Sequence, residues 1–115
     1  MINLDYYCMK FGQKIGCMKG DQESNIRKAL GVLKEDGVYA MFLWFEYRDK
    51  GKSRREGLLP FLNNEEIKRL FLDKDDQFPE SFEKFCLKIQ EVAGDLDKLF
   101  LFKKLLERTL TYALY

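Results

Sequence analysis

The sequence predicts an all-α protein, a small bundle of about five helices, and three observations carry that prediction. Apolar residues recur at helical spacing in several separate segments, as at Phe82, Phe85, Cys86, Ile89 and Val92. Glycine, proline and short acidic or amide side chains stand where such segments would begin and end, as at Gly37, Asn63, Pro79, Gly94 and Asp95. The one stretch that reads equally well as a buried strand, Val38 to Tyr47, has at most one strand-like partner, near Ile2 to Cys8. The alternative architecture is α+β, with Val38 to Tyr47 as that buried strand.

Residues 1–20 read as an N-terminal extension and residues 21–115 as a single helical domain. Ile2, Leu4 and Tyr6 alternate as in a short strand, and Gly12, Gly16 and Gly20 are expected to break any regular element. An edge strand and a disordered leader fit this pattern equally, and Met18 offers an alternative translation start.

A helix is expected from Ser24 to Asp36, with Asp21 or Ser24 as its N-cap, Gly37 just past its end, and Ile26, Ala29, Leu30 and Leu33 on one face. Gly31 inside it is expected to permit a close helix contact. The uncharged stretch from Gly37 to Phe45 follows, and it holds the only tryptophan. As a helix it places Val38, Met41, Phe42 and Phe45 on one face and Tyr39, Leu43 and Tyr47 on another. A helix satisfies its own backbone, whereas an isolated strand leaves its donors unpaired, so the helix is preferred.

Arg48 to Gly57 reads as a loop, with two glycines and five basic residues against two acidic ones. Leu58 to Leu62, with Pro60 inside, reads as an apolar turn rather than a helix. Asn63 with Glu66 three residues on suggests a capped helix from Glu65 to about Leu72, and Pro79 suits the first position of the next. Asp95 caps the last helix, whose seam is Leu99, Phe102, Leu106, Leu110 and Ala113 and whose apolar arc is widened by Leu96, Phe100, Leu105 and Tyr112. So wide an arc belongs at the centre of a bundle or against another chain.

Composition excludes several functions. Lys and Arg number 20 and Asp and Glu 19, so no global field attracts nucleic acid or acidic membranes. No apolar run approaches the roughly 20 residues that span a bilayer, and no secretory signal opens the chain, so a cytoplasmic, membrane-free protein is expected. Three cysteines without a close pair, and no histidine, argue against a disulfide framework and a zinc site. Cys86, on an apolar helical face, reads as a buried structural thiol. Asp73, Asp75 and Asp76 lack the Gly and Glu of a calcium loop, and neither a phosphate-binding glycine loop nor a nucleophile elbow is present. No catalytic residue, metal or cofactor is expected, and the chain does not read as an enzyme. Few Gln and Asn among many Glu and Lys point toward a thermophile.

Two features point to function. Arg48, Lys50, Lys52, Arg54 and Arg55 on a glycine-containing loop suit an RNA phosphate backbone, with Tyr47 beside them able to stack on a base; the alternative is a solvated linker. The surplus of aromatic and Leu side chains on the Val38–Asp49 and Leu96–Tyr115 segments suggests a surface for other protein subunits or for a homo-oligomer.

The junction Asp36-Gly37-Val38-Tyr39-Ala40-Met41-Phe42-Leu43, between an amphipathic helix and an uncharged one, with a charged loop after it and Leu106 to Tyr115 closing the chain, resembles the small helical subunit of type III CRISPR effector complexes. The resemblance implies a non-catalytic subunit lying along a guide–target RNA duplex. The expectation is therefore a helical subunit of a nucleic-acid-associated assembly that binds RNA backbone through the basic loop. The alternative is a protein-interaction or self-assembling module with no nucleic-acid role.

Overall fold

The computed structural model describes residues 3–16, 22–47 and 58–114. Helices α1 (Leu4–Gly16), α2 (Gln22–Asp36), α3 (Val38–Tyr47), α4 (58–62), α5 (Glu65–Lys68), α6 (Phe82–Ala93) and α7 (Leu96–Ala113) enclose one hydrophobic core, and no strand occurs among the described residues. The all-α reading and the helical reading of Val38 to Tyr47 both hold.

The N-terminal strand does not. Leu4 to Gly16 is helical because Cys8, Phe11 and Ile15 recur at steps of three and four and bury one face, while a lone edge strand would have no sheet to join. Asn3 caps it, its Oδ1 accepting from the Tyr6 amide at 3.1 Å. Gly12 does not break α1 but marks where it meets α7: a Cβ there would lie 2.8 Å from Tyr112 Cβ and closer still to the Thr109 carbonyl oxygen. Beside this contact Cys8 Sγ donates to the Leu105 carbonyl at 3.7 Å, and the Thr109 hydroxyl donates to the same oxygen at 2.8 Å. Burial pushes the Cys8 thiol above its ordinary pKa.

α2 buries Ile26, Ala29 and Leu33. Gly37 ends it at φ +102°, donating its N–H to the carbonyls of Val32 and Leu33 at 3.2 Å, and its own carbonyl then accepts from Met41 to begin α3. Gly31 makes no close helix contact; it is exposed, and an added Cβ would meet nothing within 4 Å.

Residues 58–62 are helical despite Pro60, since so short a helix leaves Pro60 within one turn, where its missing N–H costs nothing. The cap of α5 is Asn64, whose Oδ1 accepts from Glu66 N at 3.0 Å and Ile67 N at 3.4 Å. Asn63 is left to hold Phe78 instead. Regular α-helix stops at Lys68, and turns closed by the amides of Leu70, Phe71 and Leu72 on the Ile67 and Lys68 carbonyls carry the chain on to Leu72. α6 starts at Phe82 behind Ser81, three residues after Pro79. Asp95 caps α7 by accepting from the amides of Asp97 and Lys98.

The core is aromatic. Eight of the ten phenylalanines are buried, and they meet edge-on or tilted, Phe42 with Phe85 at 4.7 Å and Phe71 with Phe102 at 4.9 Å between centroids. Phe78, on the segment before α6, fills the space between Phe85 and Phe102. The wide apolar arc expected of α7 divides: Leu105, Leu106 and Leu110 are buried, while Leu96 and Phe100 face outward.

Candidate interaction groove

α3 and α6 run antiparallel, since Tyr47 at the end of α3 meets Phe82 at the start of α6, and Tyr39 at the start of α3 lies beside Cys86. Phe42 and Phe85 lock the two helices together underneath. Above that contact lies an open groove of about 470 Å³. One wall is the α3 stripe Tyr39, Leu43 and Tyr47, at successive steps of four; the other is Glu83, Leu87 and Gln90 of α6, with Phe82 and Cys86 between.

The walls mix exposed apolar side chains with polar ones. Tyr47 is 73% exposed, Leu87 56% and Tyr39 45%, although the same two helices bury Phe42, Phe45 and Phe85 completely or nearly so. Tyr47 keeps its ring against Phe82 edge-on at 6.1 Å, so the groove is rimmed by a held aromatic. Among the described residues Glu83 is the one charged side chain in the lining. Repulsion from the Cys86 sulfur, reinforced by desolvation, holds the Tyr39 phenol above the ordinary tyrosine pKa, so it presents a neutral hydroxyl at the rim. Cys86 is buried in the floor, the structural position expected for it.

A second cavity of about 420 Å³ opens where α1, α2 and α7 meet, lined by Lys34, Lys104 and Glu107 around a half-exposed cluster. In that cluster Arg108 Nη1 donates to Asp5 at 2.7 Å, and the Tyr112 hydroxyl donates to both Asp5 oxygens at 2.9 and 3.0 Å. The carboxylate acceptor raises the Tyr112 pKa. These groups tie α1 to α7.

Of the acidic loop, Asp76 is paired with Lys88, whose ammonium also reaches Glu91 at 3.3 Å. The Lys88 hydrogen bond holds the Asp76 carboxyl below its usual range and raises the lysine in turn. Among the described residues no group of three or more metal-ligating side chains comes together, and no helix is long and apolar enough to cross a membrane.

Arg48, Lys50, Lys52, Arg54 and Arg55 lie outside the described residues. Tyr47, the last described residue before them, is an exposed rim residue rather than core. Leu87 was not distinguished by sequence reasoning, though one signal marks it: it falls off the face shared by Phe82, Phe85, Cys86, Ile89 and Val92. No family model, curated protein or solved structure matches the chain.

Proposed function

We propose that the chain is a non-catalytic, cytoplasmic helical protein-interaction module whose docking surface is the α3–α6 groove. The observation that supports it is the outward placement of Tyr47, Leu87 and Tyr39 along one concavity, three of the exposed large apolar side chains gathered at a single site. A concavity that combines exposed aromatic and Leu side chains with a few polar groups is the chemistry of a helix-in-groove contact. Replacing Leu87 by a photoreactive benzoylphenylalanine and irradiating cells should give protein-sized adducts. The same group at exposed Lys74 should give none, and absence of adducts from the groove position would sink the proposal.

A second reading, an RNA-backbone-binding subunit of an assembly like the type III CRISPR effectors, is favoured by the 73% exposure of Tyr47 immediately before the basic run Arg48 to Arg55. An aromatic face next to several cations is how single strands are bound without sequence preference. Replacing Arg48, Lys50, Lys52, Arg54 and Arg55 by Ala should abolish a salt-sensitive RNA gel shift; an unchanged shift excludes this reading.

A further inference from the structure

The cavity between α1, α2 and α7 gathers charge that the fold leaves uncommitted. Lys34, near the end of α2, and Lys104 of α7 both line it, and the Lys103 ammonium holds the two helices together there by donating to the Lys34 carbonyl at 3.3 Å. Among the described residues neither the Lys34 nor the Lys104 ammonium has a carboxylate within ion-pair distance, and Glu107 in the same lining has no cation. Asp5, the carboxylate on the α1 side, is already taken by the Arg108 guanidinium and the Tyr112 hydroxyl, so that pair adds no net charge. Two ammoniums sharing one concavity repel each other, and an anion between them turns that repulsion into attraction.

We infer that this cavity binds a small phosphorylated amine, its phosphate held by Lys34 and Lys104 and its ammonium by Glu107. The uncommitted charges of the lining are two positive and one negative, and the ligand is their complement. A phosphate monoester carries about −1.5 to −2 at neutral pH, enough to answer both lysines with one group, whereas a single carboxylate answers one. Glu107 would repel a phosphate set against it, so the phosphate lies toward the lysines and the amine toward Glu107, which fixes the orientation. Arg108 engages Asp5 through Nη1, and a guanidinium carries five N–H donors, so it keeps others for a phosphate oxygen. The cavity of about 420 Å³ falls among small-molecule sites, which span about 300–1,000 Å³, and leaves room for an organic body larger than a two-carbon amine. It is a different cavity from the α3–α6 groove, and the inference stands or falls without that one.

Calorimetric titration of the full chain at low salt tests this, with O-phosphoethanolamine, inorganic phosphate, ethanolamine and L-glutamate as probes. O-phosphoethanolamine should bind more tightly than inorganic phosphate, and ethanolamine should not bind. Lys34→Ala and Lys104→Ala should each weaken O-phosphoethanolamine roughly three- to tenfold, while Lys84→Ala, at an exposed position on α6, should leave it unchanged. Glu107→Gln should act with opposite signs on two probes: inorganic phosphate binds more tightly once the repulsion is gone, and O-phosphoethanolamine loses its advantage over it. A misfolded variant would weaken both, so that divergence reads the contact itself. Equal affinity for O-phosphoethanolamine and inorganic phosphate, no response to either lysine, or tighter binding of L-glutamate overturns the inference. So does an RNA oligonucleotide that binds through Lys34 and Lys104 when O-phosphoethanolamine does not, since the lysines would then belong to a nucleic-acid surface.

Discussion

The side chain of Asn63 binds the backbone of Phe78 from both sides, donating from Nδ2 to the carbonyl at 2.9 Å and accepting from the amide at 2.7 Å. A primary amide has one donor and one acceptor edge with the spacing of a peptide group, so Asn63 acts as a one-residue strand partner. By fixing Phe78 it places that ring between Phe85 and Phe102. Asn63→Ala should therefore cost about 1–3 kcal/mol in urea unfolding, since both backbone groups of Phe78 lose their partner. Asn63→Asp keeps the acceptor and should retain part of that stability.

Gly12→Ala should destabilise the fold by about 1–3 kcal/mol, because the added methyl runs into the backbone of α7 rather than into a side chain that can turn away. The loss should appear as a lower thermal midpoint with helical content at low temperature preserved.

The glycine inside α2 and the one just past its end should respond with opposite signs. Gly31→Ala should stabilise by up to about 1 kcal/mol, because the position is exposed, helical and open. Gly37→Ala should destabilise by about 1–2 kcal/mol, because φ is +102° there. Chemical denaturation of both variants checks the pair, and a stabilised Gly37→Ala would contradict the junction described.

The Asp76–Lys88 pair makes a pH-dependent contribution. Asp76 has a lowered folded pKa, so its contribution is present above the ordinary carboxyl value of 3.8 and is lost as pH falls through the folded value. Lys88 has a raised one, so its share is present below 10.5 and is lost as pH rises through its folded value. The stability difference between the unmodified protein and Lys88→Met should be constant between those limits. It should shrink toward about pH 2, and urea titrations at neutral and acid pH would show it.

Much of the fold was legible because the competing structures lacked partners. Val38 to Tyr47 resolves to a helix since one strand cannot satisfy its own backbone. The same argument applies to Leu4 to Gly16, but there a three-residue alternation and two glycines masked the helical recurrence of Cys8, Phe11 and Ile15. Asn63 and Asn64 are chemically alike, and which one caps α5 depends on Phe78, fifteen residues from Asn63. The candidate groove was half legible. The second face of α3 was visible as Tyr39, Leu43 and Tyr47, but both of its faces are apolar, so which one is covered depends on where α6 lies. The division of α7 into a buried length and an exposed Leu96–Phe100 end depends on where its neighbours stop, which periodicity along one helix does not encode.

The joining of α1 to α7 has a consequence for how the protein is made. Asp5 and Arg108 are 103 positions apart, and Cys8 and Leu105 are 97 apart, so these contacts close a loop of nearly the whole described chain. The entropy of that closure must be met before the α1 face is covered, which slows a helical fold that would otherwise assemble from near neighbours. During synthesis Phe11 can meet Phe61 once α4 has emerged, but the contacts of Cys8 and Gly12 wait until α7 has been translated. The nascent chain thus carries part of this apolar face uncovered until α7 emerges.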